Sequence, residues 1–376
     1  MNKKIFKNIE WSVLIYSLIL FGFGLVALYS ASKNSDFEEF NKQIKWFIIS
    51  IPFLISVASI DYLKIIKYSL LYYLLICVLL VLVLKTAPVN GASSWFDLGS
   101  IKIQPSEIGK IFIITAVSQF IVRMQYKGKN EINKVHKLLL VLLVMMIPIL
   151  LILKQPDYGT AAAYLIAYIF ILFVAGIKKR YIFSALIIMP ILMYLMYIYI
   201  LPHYAPHSIQ RINVFLNPNI DPRGAGYNII QSKLAVGSGY VFGMGLLKGT
   251  QTQLGYLYPI TTDFIYALIA EELGFIVSGA IIVVYVLLIT KAIKISKTAK
   301  DNAGAYIAAG ISGIFFFHMV QNIGMTMGLL PITGVPLPFV SYGGSALVTN
   351  FIAIGLLLNI SARRQKAIFV DMERRV

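Results

Sequence analysis

Three acidic side chains stand in a chain that is otherwise almost continuously apolar, each at the start of an apolar run. Asp263 opens the run TTDFIYALIAEELGF, at the end of a polar break covering about residues 202–262. A lone carboxylate at the mouth of a span could act as a general base on a membrane-bound substrate. It could equally be an N-cap or first-turn acid for its own helix. Glu107 lies in Gln104-Pro-Ser-Glu-Ile-Gly-Lys110, three residues before Lys110, so the two share a helix face. They are either a helix-start acid with an internal ion pair that hides Lys110 from lipid, or functional charge at membrane depth. Asp157, in Gln155-Pro-Asp-Tyr-Gly-Thr160, repeats the logic: proline at a helix start and an acid in the positive first turn. Taken alone it reads as a cap and tight turn.

The elements that must position these groups are membrane helices. Hydrophobic residues make up 59% and charged residues 13% of the 376 residues, and mean hydropathy is +0.79. Soluble domains carry about 25% charged residues. A spanning helix needs about 20 mostly apolar residues. Ten runs qualify, at roughly 11–31, 45–60, 66–85, 106–124, 138–153, 159–177, 181–201, 262–290, 303–327 and 344–362, the second and fifth being short. The first run is too long for a signal-peptide core. With the N-terminus inside, 22 of the 33 Lys and Arg residues fall in inside segments, so the positive-inside rule predicts N-in, C-in topology. The expected fold is therefore an all-α polytopic membrane protein of ten transmembrane helices forming one domain over 1–376. Its large extracytoplasmic loop, about 202–262, joins helices 7 and 8.

This bias explains the net charge of +17 as cytoplasmic anchoring against anionic lipid. No basic, aromatic-interleaved soluble domain is present to bind nucleic acid. Neither a P-loop nor a strand-borne GxGxxG occurs, so nucleotide-driven chemistry is not expected. The single cysteine, Cys77, lies in an apolar run and excludes an intrachain disulfide and a cysteine-based metal site.

The predicted topology gathers four irregular stretches outside: 86–105, 154–158, 202–262 and 328–343. The first holds Gly91-Ala-Ser-Ser-Trp95-Phe-Asp97. The long loop holds Arg211, the turn-forming Asn-Pro and Asp-Pro pairs of residues 217–222, and a segment 227–236 that could be a short interfacial helix carrying Gln231 and Lys233. A glycine-dense stretch up to Lys248 follows, able to bring backbone N–H groups close to a ligand. Residues 328–343, rich in Pro and Gly and containing Ser341, cannot form a regular helix and are expected to be a re-entrant or cavity-lining loop. Helices starting near Pro105, Pro156, Thr262 and Gly344 would all direct positive N-terminal ends outward. With Arg211, Lys233 and Lys248 nearby, such a cavity suits an anion such as a pyrophosphate.

QPSEIGK, QPDYGT, NPNIDPRGAGYNIIQSKLAVGSG, GTQTQLGYLYP–TTDFIYALIAEELGF and NIGMTMGLLPITGVPLPFVSYGGS together resemble the SEDS family (shape, elongation, division and sporulation), from the first span to the last. Short termini and compact loops look more like its elongation (RodA-like) branch than its division (FtsW-like) branch. The resemblance implies ten spans and a peptidoglycan glycosyltransferase that polymerises lipid II at the outer face of the bacterial cytoplasmic membrane. It implies a class B penicillin-binding protein as partner, within a complex of elongation membrane proteins. The family's essential aspartate corresponds to Asp263, its span-four glutamate and lysine to Glu107 and Lys110, and its loop arginine to Arg211.

On that resemblance Asp263 is the catalytic residue, a general base. The substrate-binding candidates are Arg211, Lys110, Glu107, Asp157, Lys233, Lys248, Trp95, Gln231 and Ser341. A divalent cation (Mg or Mn) is a candidate cofactor whose ligands the sequence does not identify, and no organic cofactor is expected. The chain departs from the family pattern where Ser93 and Ser94 precede Trp95 in place of basic residues, and where Thr261 and Thr262 replace a histidine ahead of the aspartate. This leaves open which groups hold the donor phosphate. Rival expectations are a lipid II flippase or other transporter, motivated by Glu107, Lys110, Glu271 and Glu272 near spans, a division or sporulation paralogue, and a scaffold in which Asp263 only caps its helix. Glu271, about two turns past Asp263, reads as structural.

Overall fold

The computed structural model describes residues 8–87, 93–97, 99, 102–195, 198–199, 213–224 and 226–364. It is an all-α membrane protein. Among the described residues eight helices are long and apolar enough to cross a bilayer: α1 (Trp11–Ala31), α2 (Glu38–Ser59), α5 (Pro105–Met124), α6 (Val135–Leu153), α7 (Tyr158–Ala175), α11 (Ile265–Thr298), α12 (Asn302–Thr326) and α13 (Gly344–Ala362). Two shorter helices, α4 (Ser69–Leu82) and α8 (Lys179–Leu195), occupy the third and seventh expected spans. The remaining helices, α3 (Tyr62–Lys67), α9 (Tyr227–Ser238) and α10 (Thr250–Gln253), lie between spans. A two-stranded antiparallel ribbon, β1 (Phe96–Asp97) with β2 (Lys102–Ile103), precedes α5.

Several boundaries move for physical reasons. The run expected at 66–85 is broken at Tyr68, and α3 ahead of it is capped by the Asp61 carboxylate accepting from Leu63 N–H. The short second run gains two polar turns in α2, where Glu38 pairs with Lys42 at i,i+4. The eighth helix starts at Ile265, not 262, because residues 259–264 form a turn closed by Phe264 N–H to Pro259 O (3.3 Å). The short helix expected at 227–236 is present as α9, Tyr227–Ser238.

The most completely buried helices are α5, α12 and α13, and α12 packs along both α7 and α11. Helices α1, α4 and α6 present exposed leucines, isoleucines and valines to lipid. Between α12 and α13 the chain is irregular, as expected for 328–343, and its second half, Val335 and residues 337–341, is buried between helices. Gly24 of α1 lets that segment approach: a Cβ there would lie 2.7 Å from Val340 Cα and 2.8 Å from Phe339 O. The two helix glycines of α1 therefore predict opposite signs. Gly24→Ala should lower the thermal midpoint in detergent, at a cost of about 1–3 kcal/mol typical of overpacking. Gly22→Ala meets nothing within 4 Å and should raise it, by up to about 1 kcal/mol of helix propensity. Equal shifts in the two variants would contradict the close approach.

Candidate functional site

Asp263 precedes the N-cap of α11, which is Phe264, so it does not cap its own helix. Its backbone is held on three sides. Phe264 is buried in a small core with Ala235 of α9, Leu257 and Ala267. Asn322 of α12 donates through Nδ2 to Asp263 O (3.0 Å) and to Val335 O (2.8 Å). Ser341 Oγ donates to Thr262 O (2.6 Å) and accepts from Leu337 N–H (2.8 Å), while Tyr342 N–H donates to Thr261 O (2.8 Å). Gly334 lies close enough that a Cβ there would sit 3.4 Å from Asp263 Oδ2. Burial pushes the Asp263 carboxyl up to about 6, against a lowering hydrogen bond from Thr262. An acid shifted to that value remains mostly ionised at neutral pH and is a stronger base than an ordinary aspartate, which suits proton abstraction.

A second polar cluster joins α5 to α12. Lys110 Nζ donates to Glu107 Oε1 (2.5 Å) and to His318 Nε2 (2.8 Å), and His318 Nδ1 lies 2.8 Å from Pro336 O. A carbonyl only accepts, so Nδ1 carries the proton and Nε2 accepts from the ammonium. Glu107, His318, Ser341, Asn350 and residues 336–339 line a cavity of about 10 Å³, room for about one water. Both partners of the ion pair are buried. Of the two readings of Glu107 and Lys110, the structure shows the internal ion pair, and through His318 it braces the segment that flanks Asp263.

Asp157 is the N-cap of α7, accepting from Thr160 N–H (3.0 Å), one position earlier than the expected first turn. It also accepts from Gln104 Nε2 (2.8 Å), which ties the start of α7 to the start of α5. Burial raises its carboxyl, with the Glu107 charge adding and the Thr160 bonds and Lys110 opposing. The α7 start abuts the irregular segment as well: a Cβ on Gly159 would lie 2.4 Å from Val335 Cγ2 and 2.9 Å from Thr333 O. Asp157, Glu107–Lys110 and Asp263 are therefore arranged around one piece of backbone, residues 333–342.

The other candidates are less converged. Arg211 lies outside the described residues. Lys233 is exposed on α9 and its stem packs over Gly328, while Ser232 beside it donates to Thr326 O (2.6 Å). Gln231 and Trp95 are half-buried, Trp95 following Ser94, whose hydroxyl reaches Gln155 O at 3.5 Å. Lys248 is exposed, with its stem beside Gly245. Ser341 is a backbone brace, as described above.

Glu271 and Glu272, which motivated the transporter reading, are used in anchoring the loop. Glu271 accepts from Gln251 N–H (2.7 Å), Thr252 N–H (3.0 Å) and the Thr252 hydroxyl (2.6 Å) at the start of α10. Glu272 accepts from the Ser30 hydroxyl, Leu247 N–H and Gln253 Nε2. The glycine-dense stretch packs on protein backbone: Gly239 lies against Ala270 O, and Gly243 against Glu272 O. Among the described residues no three His, Cys, Asp or Glu side chains converge as a metal cage. A magnesium-type ion at Asp263 would need water and substrate phosphate oxygens to complete its coordination.

The residues that sequence reasoning missed are His318 and Asn322, with Gln321 between them. Their signal was available: three polar side chains at i, i+3 and i+4 share one face of an apolar helix.

The fold and this site define a class of polytopic membrane proteins with a buried irregular segment beside an acidic residue at the start of a span. Residues 11–366 match the sequence profile of the FtsW/RodA/SpoVE family, described as "Cell cycle protein". The peptidoglycan glycosyltransferase MrdB of Escherichia coli K12 is 34% identical, covering 97% of each chain. The peptidoglycan glycosyltransferase RodA of Treponema pallidum is 31% identical over 95% of this chain and 98% of its own. Stage V sporulation protein E of Bacillus subtilis is 35% identical over 93% and 96%. Among solved structures, a chain from a peptidoglycan synthase complex coordinating polymerization and crosslinking superposes with a TM-score of 0.81, at 24% identity over 94% of this chain and 97% of that one. Thermus thermophilus RodA gives 0.70, at 22% identity over 95% and 98%. The chain belongs to the FtsW/RodA/SpoVE family, whose named relatives include peptidoglycan glycosyltransferases.

The buried ion pair makes a stability prediction. Glu107→Gln leaves the Lys110 charge without its counter-charge, and breaking such a pair costs about 3–5 kcal/mol. The double variant Glu107→Gln/Lys110→Met removes both charges and should recover much of that loss in thermal unfolding. A double variant no more stable than the single one would sink the assignment of the pair as a structural brace.

Proposed function

We propose that this chain is a peptidoglycan glycosyltransferase that polymerises lipid II at the outer face of the bacterial cytoplasmic membrane during elongation. It works with a class B penicillin-binding protein and other elongation-complex membrane proteins. The topology is ten spans, N-in and C-in, so that residues 213–264 and 328–343 face outside. The observation that carries this reading is Asp263 itself: a half-buried carboxylate raised to about 6, its peptide fixed by Asn322 and its flank closed by Gly334. A family relationship with named glycosyltransferases supports the activity. The similarity to a chain of a polymerising and crosslinking complex supports the partner.

Asp263 takes the proton of the acceptor GlcNAc 4-hydroxyl. That oxygen attacks C1 of the MurNAc at the lipid-linked end of the growing strand. The C1–O bond to pyrophosphate breaks with inversion, and undecaprenyl pyrophosphate leaves. Charge on the leaving group is met by the outward N-terminal ends of α5, α7 and α13, with the exposed Lys233 and Lys248, and Arg211 on the resemblance, as candidate cations. Were a divalent ion bound, Asp263 is the residue here that could help hold it, and the ion would supply positive charge to the leaving group. Trp95 and Gln231 line the approach for the sugar and peptide, while Glu107, Lys110, Asp157 and Ser341 hold the irregular segment in place.

The test is purified protein with labelled lipid II and Mg or Mn, with and without the partner, products being resolved on a gel beside a folded Asp263→Asn variant. Wild type should give a glycan ladder, and the variant should lose about 10²–10⁴ in rate, the usual contribution of a positioned base. Because the raised carboxyl is active only when ionised, wild-type rate should fall as pH drops through about 6. The residual rate of Asp263→Asn should lack that limb. A ladder from Asp263→Asn at wild-type rate would remove the base assignment. No ladder from wild type with its cognate partner present would favour a flippase or scaffold.

A further inference from the structure

Helix α11 is not one continuous span. Gly274 breaks it with φ 76° and ψ −175°, and the glycine-rich loop ahead of α10 fills the break with its backbone. Phe275 N–H donates to Tyr240 O (2.9 Å) and Ile276 N–H to Val241 O (3.3 Å), while Met244 N–H and Gly245 N–H donate to Glu271 O and Glu272 O (each 2.9 Å). Residues 240–245 are thus fixed to the helix by four backbone hydrogen bonds. The closeness demands glycine on both sides, since a Cβ at Gly274 would lie 2.2 Å from Gly243 N and one at Gly243 would lie 2.2 Å from Glu272 O. Yet the side chains this rigid loop carries point out of the protein: Tyr240 is 83% exposed and Phe242 81%, with Val241 half exposed. Phe275, at the start of the helix beyond the break, is 72% exposed, and Ile276 follows it.

The protein contains its own ruler for the depth of this loop. Helices α1 and α11 run antiparallel in contact and are tied by polar bonds at both ends. At one end Lys291 Nζ lies 3.0 Å from Glu10 Oε1, just before α1 begins. At the other, Ser30 Oγ donates to Glu272 Oε2 (2.5 Å), one residue before α1 ends. The 20 residues from Glu10 to Ser30 rise about 30 Å, close to the thickness of a bilayer's hydrocarbon core. Glu272 and Gly274 therefore mark one boundary of that core, and the loop paired to them lies in the same plane. Tyrosine and phenylalanine exposed at that depth, continuous with the lipid-facing Phe275 and Ile276, have the chemistry of interfacial anchors.

We propose that residues 240–242 form a fixed finger inserted into the lipid interface, its ligand being the headgroup–acyl boundary of the bilayer. The finger is a bilayer contact made by a loop outside the spans. Its backbone is coupled through the Gly274 break to residues 265–273 and hence to Asp263, so it sets the height of that segment relative to the lipid headgroups. This last consequence rests on the proposed function, whereas the insertion itself does not.

The test places a fluorescent NBD label at Phe242→Cys in a Cys77→Ala background and reconstitutes the full chain in phosphatidylcholine–phosphatidylglycerol vesicles. Nitroxide lipids quench at two depths, shallow or deep in the acyl chain. Labels at Val283→Cys, mid-span and lipid-exposed, and at Tyr126→Cys, in the turn after α5, calibrate lipid and water. The label at 242 should emit to the blue of that at 126 and be quenched more by the shallow nitroxide than by the deep one, with 283 showing the reverse order. Emission and quenching at 242 equal to those at 126 would overturn the insertion. So would shielding at 242 that disappears when the protein is diluted in lipid, which would mean a second copy covers the finger. A gel-filtration profile and thermal midpoint matching the parent protein for each labelled variant ensure that the comparison is between folded molecules. Polymerase activity plays no part in the readout, so failure of the function proposal and failure of this one are separable.

Discussion

Everything about the candidate site depends on pairing the backbone of residues 328–343, an irregular segment whose second half, Val335 and residues 337–341, is buried among helices away from water. An unpaired carbonyl at such depth costs several kcal/mol, so non-helical backbone survives only where protein satisfies it. One helix face does most of this. His318, Gln321 and Asn322 of α12 pair with Pro336, Pro331 and Val335 carbonyls, and the Tyr285 hydroxyl of α11 pairs with Pro338. Four side chains from two helices thereby convert a proline- and glycine-rich stretch into a rigid wall. The prolines contribute by removing donors that would otherwise also need partners. Asp263 rests against that wall, and Asn322 serves both, holding Val335 and the Asp263 peptide through one amide nitrogen.

The same constraint governs the N-terminal part of α11. Breaking a helix at Gly274 frees carbonyls and N–H groups, and the 240–245 loop takes them up. Glu271 and Glu272 then do for the next loop what the α12 face does for the irregular segment: between them they accept from three backbone N–H groups, of Gln251, Thr252 and Leu247. Charge buried in this way is expensive unless fully hydrogen-bonded, and both carboxylates are. A pair of acids that looks from hydropathy like a conduction path is, in the folded chain, a staple between α11, α1 and the loop.

What was legible in the sequence follows from this. Span positions were, because they depend on local hydrophobicity, and the Glu107–Lys110 pair was, because i,i+3 spacing on a helix is local geometry. The α7 start was legible through Pro156 and Asp157, to within one residue. Asp263 was legible as a carboxylate beside an apolar run, but its pattern left a base and a helix cap equally open until the N-cap proved to be Phe264. His318 and Asn322 left little trace because their carbonyl partners lie 13–59 residues away and carry no mark of residue type, while Lys110, the side-chain partner of His318, is 208 positions distant. Glu272 was misleading for the same reason, its partner Ser30 being 242 positions distant. The start of α11 at Ile265 was hidden because Thr261, Thr262 and Phe264 are held by tertiary bonds and core packing, not by helix signals.

The ion pair also bears on how the site would meet an anion. Lys110 has a carboxylate at 2.5 Å and a neutral imidazole at 2.8 Å, and its side chain is only 3% exposed. Its charge is therefore largely cancelled within the protein, and drawing it out to a phosphate would strand Glu107 in a low-dielectric interior. On the proposed function, attraction for a pyrophosphate would come mainly from groups whose charge is still free to act: helix N-terminal ends at α5, α7 and α13, and the exposed Lys233 and Lys248. That division has a mechanical advantage. Lys110 and Glu107 fix His318 and through it Pro336, holding the wall beside Asp263 rigid, while on the proposed function Lys233 and Lys248 would follow the lipid-linked headgroup. Rigidity is concentrated where a proton would move, and adjustable charge where an anion would be exchanged.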